Sequence, residues 1–213
     1  GCGRPFLLDD ILDLADRITL LILDSSFDPV RLLHGIYLSH YSPPIFFTVL
    51  HFYIGSCFRD GRNNLFSLIK DITKEVFVPI TLGGGIKNIK DIEKALNSGA
   101  DKVAINSAAL ENPKLIEEAS NIFGASTIVS YIEAKKISSN KWEPYKYCGR
   151  ERSNIDLIDW IKEIQEKGCG EILLTSIDKE GTETGFDIDL IKNVYEIIKK
   201  PLIVSGGCGS LDD

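Results

Sequence analysis

Two glycine-ended stretches carry the most suggestive chemistry in this chain. Pro79-Ile80-Thr81-Leu82-Gly83-Gly84-Gly85 lines up with Pro201-Leu202-Ile203-Val204-Ser205-Gly206-Gly207 at a constant offset of 122 residues, and Ile89 and Asp91 line up with Leu211 and Asp213. Glycines directly after an apolar strand let backbone N–H groups approach a ligand closely, and the helix that follows offers its positive end. That arrangement suits phosphate, and two such loops suit a substrate with a phosphate at each end. Glycines that only turn the chain would look the same, so the duplication is what strengthens the signal. Neither stretch has the Gly-x-x-x-x-Gly-Lys-Ser/Thr spacing of a nucleotide loop or the Gly-x-Gly-x-x-Gly of a dinucleotide fold.

Further polar groups fall where apolar runs end. Asn106-Ser107 closes one run, Glu133 another, and Thr175-Ser176-Ile177-Asp178 a third. Glu133 follows Ile128 to Ile132 and precedes Lys135-Lys136. It is either a general acid or base, or a partner for those lysines. Lys179-Glu180-Gly181-Thr182 is a polar loop, in which the Gly181 N–H either adds to a phosphate site or belongs to a solvated turn. His34, His40 and His51 match no usual metal-ligand spacing, and Cys2, Cys57, Cys148, Cys169 and Cys208 contain no Cys-x-x-Cys pair. No metal and no cofactor is implied. The cysteine pattern also argues against a disulfide scaffold and fits a reducing, cytoplasmic setting.

These residues need elements to hold them. From residue 62 onward the pattern predicts a helix over Asn63–Glu75, a strand over Val78–Leu82, a helix over Ile89–Ser98 closed by Gly99, and a strand over Lys102–Asn106. Asn112 is expected to cap a helix with Pro113 at its first position and Gly124 at its end. Strand Ser126–Ile132, helix Asn154–Lys167 closed by Gly168, strand Glu171–Thr175, helix Asp187–Lys199 and strand Leu202–Ser205 follow. Earlier, Ile18–Asp24 and Ile45–Ile54 read as strands around a helix near Pro29–Ser39. Strands alternating with helices imply parallel βαβ units, and a repeat about 120 residues apart is what a (β/α)₈ TIM barrel of two half-barrels would show. On this reading the chain is one α/β domain spanning 1–213, with the last strand and two helices of the barrel expected beyond Asp213.

Composition narrows the function. The chain has 213 residues and a net charge of −7, which offers no broad basic footprint for nucleic acid. The longest mostly apolar run, Ile45–Ile54, is too short to span a membrane. Residues 1–60 contain no Lys and no Glu, while every Lys and Glu lies after them. This atypical N-terminal region reads as having a different origin, such as a shifted coding frame; an intact frame through residue 60 on resequencing would overturn that reading.

Thr81-Leu82-Gly83-Gly84-Gly85-Ile86, Ala100-Asp101-Lys102-Val103-Ala104-Ile105-Asn106-Ser107-Ala108-Ala109 and Gly170-Glu171-Ile172-Leu173-Leu174-Thr175-Ser176-Ile177-Asp178 resemble the cyclase subunit of imidazole glycerol phosphate synthase. The resemblance runs from about Asp60 to Asp213. It implies a (β/α)₈ barrel that takes ammonia from a glutaminase partner, as a heterodimer. Its substrate would be an aminoimidazole ribonucleotide carrying two phosphates, and one product imidazole glycerol phosphate for histidine synthesis. Two aspartates do the acid and base work in that family. The second falls here on Glu133, one methylene longer, and Asp24 is the plausible counterpart of the first. The resemblance also implies phosphate contacts at Gly84, Gly85, Asn106 and Ser107 on one side and at Thr175, Gly181, Gly206 and Gly207 on the other. Lys102 and Glu171 match residues at the opposite end of the barrel, where ammonia enters; a structural salt bridge is the alternative for that pair.

Tyr147-Cys148-Gly149-Arg150-Glu151 and Gly206-Gly207-Cys208-Gly209-Ser210-Leu211-Asp212-Asp213 resemble a second branch of the same family, linked to amidation of surface-polysaccharide sugars. A catalytically inactive, phosphate-binding barrel is a further alternative.

Overall fold

A computed structural model describes residues 79–208 and the strand Phe52–Ile54. Asp24 and the elements expected over Ile18–Asp24, Pro29–Ser39 and Asn63–Glu75 lie outside the described residues, as do the three histidines.

Among the described residues, six strands run parallel. They are β1 (Phe52–Ile54), β2 (Ile80–Gly83), β3 (Lys102–Ile105), β4 (Ile128–Ser138), β7 (Glu171–Ser176) and β8 (Leu202–Ser205), hydrogen-bonded in that order. Two short strands, β5 (Lys141–Lys146) and β6 (Glu151–Arg152), extend β4 as an antiparallel ribbon. Helices α1 (Ile89–Asn97), α2 (Ser107–Glu111), α3 (Lys114–Phe123), α4 (Leu157–Glu166) and α5 (Ile188–Tyr195) connect the parallel strands.

The helices start and stop where side chains satisfy the free backbone groups. Asn88 Oδ1 accepts from Asp91 N at 3.1 Å, and Asp91 Oδ2 accepts in return from Lys87 N at 2.9 Å. At the other end of α1, Ala100 N reaches Ala95 O and Gly99 N reaches Leu96 O, with Gly99 at φ 110°. Gly168 ends α4 with the same pair of bonds, from Cys169 N to Ile164 O and from Gly168 N to Gln165 O. Asp156 and Asp187 cap α4 and α5 through their side chains. Asn112 does not cap α3. Pro113 holds that position with helical φ, and the Asn112 carbonyl, rather than its side chain, accepts from Leu115 N.

Alternation along the strands separates two apolar layers. Leu82, Val103, Ile128, Ile132, Ile172 and Leu174 belong to the cluster that includes Ile92, Ile116, Trp160, Ile161 and Leu190 from the helices. Burial of each such side chain contributes about 1.5–3 kcal/mol. The intervening residues Ala104, Val129 and Leu173 form a second cluster with Tyr131 and Ile203. A parallel sheet buried on both faces, with helices against one of them, is the construction of the (β/α)₈ TIM barrel.

The repeat read from sequence has a conformational counterpart. Gly84 and Gly85 follow β2 at φ 92° and 69°, and Gly206 and Gly207 follow β8 at φ 94° and 99°. Two elements were not foreseen. Helix α2 follows β3 directly, and β4 continues past Ile132 into the β4–β5 ribbon, which turns at Asn140 (φ 54°). The ribbon is anchored by Trp142, 1% exposed, and by Glu143, which accepts from Arg152 Nη2 at 2.7 Å and Asn154 N at 2.6 Å.

Candidate active site

The sheet order places the candidate groups around Glu133. Gly84 and Gly85 follow β2, and Asn106 and Ser107 follow β3; Thr175 lies on β7, Gly181 in the loop after it, and Gly206 and Gly207 after β8. Glu133 stands on β4, between these two sets. Its register partners are Thr175 on one side and Tyr145 on the other, and Thr175 in turn pairs with Ser205. All lie toward the C-terminal ends of the parallel strands, where barrel enzymes keep their chemistry.

Glu133 is buried, at 7% exposure. Its Oε2 accepts from Asn106 Nδ2 at 2.8 Å, and the same amide nitrogen donates to Tyr145 O at 3.1 Å. Burial, reinforced by the nearby Glu180 carboxylate, pushes the Glu133 carboxyl up to about 7, while the Gly149 N–H, the Tyr131 hydroxyl and the Asn106 amide pull in the opposite direction. A carboxyl that titrates near neutrality can take or give a proton at working pH. The nearby lysines are engaged elsewhere. Lys135 lies over the Tyr145 ring and Lys136 over Trp142, so neither has the partnership with Glu133 that the sequence left open.

Two buried acceptors beside Glu133, Asn106 Oδ1 and Thr175 Oγ1, have no hydrogen-bond partner among the described residues. Ser107 is occupied within the protein: its Oγ accepts from Tyr147 N at 2.8 Å.

The loop after β7 and the glycines after β8 pack as a unit. Gly185 N donates to Gly207 O at 2.8 Å. A Cβ on Gly206 would come within 2.7 Å of Ser176 O, and one on Gly207 would run into the Gly185 carbonyl. These glycines therefore answer to close backbone approach as well as to φ. Gly181 (φ 71°) differs, since a Cβ there would meet open space. Ser176 Oγ donates to Asp187 Oδ2 at 2.9 Å, tying the end of β7 to the cap of α5.

At the N-terminal ends of the strands, Lys102 Nζ pairs with Glu171 Oε1, both side chains being mostly buried. Thr81 is the register partner of Lys102. Glu171 Oε2 and Thr81 Oγ1 are buried without a hydrogen-bond partner among the described residues.

Sequence reasoning did not single out Tyr131, Tyr145, Gly149 or Glu180 as site groups. The alternation that puts Glu133 on the inner face also puts Tyr131 there, so that signal was available; Gly149 and Glu180 reach Glu133 only through loop folding. Among the described residues no helix is long and apolar enough to cross a membrane.

The histidine biosynthesis protein family matches residues 46–213. The family match begins at residue 46, inside the Lys-free N-terminal stretch, while the similarity to individual relatives spans about 150 residues. The chain is 48% identical over 153 residues to the imidazole glycerol phosphate synthase subunit HisF of Legionella pneumophila, which covers 72% of this chain and 72% of that protein. It is 46% identical over 154 residues to the protein of the same name from Bacillus cereus (strain Q1), covering 72% of this chain and 61% of that one. With the glycine-ended βα units and the buried mouth carboxyl already placed on a parallel barrel, this identity leaves one conclusion: the chain belongs to the histidine biosynthesis protein family.

Proposed function

We infer that the chain is an ammonia-using cyclase of the imidazole glycerol phosphate synthase type, with Glu133 as its acid–base group. The observation that carries this reading is the position of Glu133, a buried carboxyl titrating near 7 between two sets of strand ends that suit phosphate. Gly84, Gly85, Asn106 and Ser107 hold one phosphate of an aminoimidazole ribonucleotide, and Thr175, Gly181, Gly206 and Gly207 hold the other. Fixing both ends of the substrate leaves its middle at Glu133, where ammonia adds and the chain of the substrate is cleaved and cyclised. Asp24 is the second acid–base group on this reading. A glutaminase subunit supplies the ammonia at the opposite end, by way of Lys102 and Glu171. The names of the relatives support this reading, since each is a subunit of such a synthase.

The test is turnover of the histidine-pathway bisphosphate with ammonium salt, together with a thermal melt with and without that substrate. The reading requires turnover, an upward shift of the midpoint, and loss of turnover in Glu133→Gln. A shift without turnover would favour a phosphate-binding barrel without activity. Neither shift nor turnover would favour the sugar-amidation branch.

A further inference from the structure

The ribbon that extends β4 carries mostly positive charge. Residues 135–152 hold six basic side chains against two acidic ones, in a chain whose net charge is −7. Three of its lysines lie over aromatic rings: Lys135 Nζ is 5.7 Å from the Tyr145 centroid, Lys136 Nζ 5.1 Å from that of Trp142 and Lys146 Nζ 5.7 Å from that of Tyr147. Two of the three also meet a carboxylate, Lys136 at Asp189 Oδ2 (3.6 Å) and Lys146 at Glu151 Oε2 (4.0 Å). Lys135 meets none among the described residues. Its register partner across the ribbon is Glu143, the acid that cross-strand pairing would offer it. Glu143 is taken instead by Arg152 Nη2 at 2.7 Å and Asn154 N at 2.6 Å.

The place of this cation decides what it can do. Strand alternation puts Lys135 on the same face of β4 as Glu133 and two residues further along the strand, while Ala134 between them enters the helix-side core. Tyr145, whose ring holds the Lys135 ammonium, is itself the register partner of Glu133. Lys135 is half-buried there, its stem packed and its N–H groups unused by any protein acceptor among the described residues. The other groups around Glu133 offer a phosphate little positive charge. Glycine N–H groups are neutral, the Asn106 amide nitrogen is committed to Glu133 Oε2 and the Tyr145 carbonyl, and Lys179 Nζ donates to Thr184 Oγ1. Glu133 and Glu180 are acids, so a phosphorylated substrate entering this mouth needs a cation to offset them.

We propose that Lys135 is a substrate-specificity residue of the mouth: its ammonium, held on the Tyr145 ring, takes a phosphate oxygen of the substrate beside Glu133. The proposal rests on the reading of the mouth around Glu133 as the site of a bisphosphate.

The experiment compares the full chain with Lys135→Met and Lys135→Arg in two assays. One is ammonium-driven turnover of the histidine-pathway bisphosphate at low and high sodium chloride; the other is a thermal melt in inorganic phosphate against chloride of equal ionic strength. In Lys135→Met the KM is expected to rise about 10- to 100-fold, with the larger part of the loss in KM and not in kcat, and Lys135→Arg regains most of it. The fall of kcat/KM with salt should be shallower in Lys135→Met than in the parent, because one charged contact has gone. Phosphate should raise the parent midpoint above the chloride control and raise that of Lys135→Met by less. A lysine that only stacks on Tyr145 would lower the midpoint on substitution and leave KM, the salt dependence and the phosphate shift as in the parent; that result overturns the proposal. Should Lys135→Met lose its cooperative melt, Lys135→Gln takes its place with the same expectations. A phosphate shift that depends on Lys135 in a chain without turnover upholds the anion contact and overturns the cyclase reading instead, whereas no phosphate shift in the parent overturns the proposal.

Discussion

Asn106 at the end of β3 donates one amide N–H to Glu133 Oε2 and the other to the Tyr145 carbonyl, so a single side chain joins β3, β4 and the ribbon that extends β4. The bond orients the carboxyl and favours its ionised form, while burial and Glu180 favour the neutral one. The chemistry attributed to Glu133 depends on that balance.

Glu133→Gln is expected to reduce turnover by at least about 100-fold, because the amide keeps the shape and loses the proton transfer. Its melting midpoint above pH 8 should equal or exceed that of the parent. The folded-state pKa of Glu133 is raised from 4.5 to about 7, so the folded protein binds more protons than the unfolded chain between those values. Stability contributed by the neutral carboxyl is therefore lost as pH rises from about 4.5 to 7, amounting to roughly 3 kcal/mol at the upper end. Denaturant melts of parent and variant across that range give the check. A parent curve as flat as that of the variant would count against a raised pKa.

Glu180→Gln removes the carboxylate that adds to burial in raising Glu133. The inflection of kcat/KM against pH near 7 should move to lower pH, with a smaller change in KM than in the position of the inflection. Glu180 is exposed, so stability should change by less than about 0.5 kcal/mol. A pH–rate profile of the two proteins side by side decides it.

Alanine at Gly207 and at Gly181 should behave differently, although both glycines have positive φ. Gly207→Ala drives a Cβ into the Gly185 carbonyl and forces apart the loops after β7 and β8. The expected cost is about 2–4 kcal/mol together with a large rise in the substrate KM. Gly181→Ala meets open space and carries only the φ penalty, about 1 kcal/mol. Equal losses at the two positions, by melting and by KM, would contradict this account.

Lys102→Ala leaves Glu171 mostly buried with neither oxygen paired to a cation. Removing one partner of such a pair is expected to cost about 1–3 kcal/mol, less than for a fully buried pair because both side chains keep some exposure. Lys102→Met with Glu171→Leu should recover most of that loss. If Lys102 also serves ammonia entry, the double variant regains stability while glutamine-driven turnover stays low and ammonium-driven turnover does not.

Periodicity and punctuation were enough to find much of this fold. The alternation of apolar strands with helices ended by Gly99, Gly124 and Gly168 identified the βα units, because a left-handed residue after a helix is a local requirement that glycine meets. The duplication around Gly84-Gly85 and Gly206-Gly207 pointed to a barrel for another reason, since similar βα units 122 residues apart are what two half-barrels give. The β4–β5 ribbon was not legible, since its anchors, Trp142 in the core and Glu143 on Arg152 and Asn154, exist only once distant residues have met. Residue type alone left Glu133 open between acid–base group and lysine partner. Only the tertiary structure settled the environment of that carboxyl, because a carboxyl pKa depends on burial and on neighbours such as Glu180, Gly149 and Asn106, which come from three different loops and strand ends.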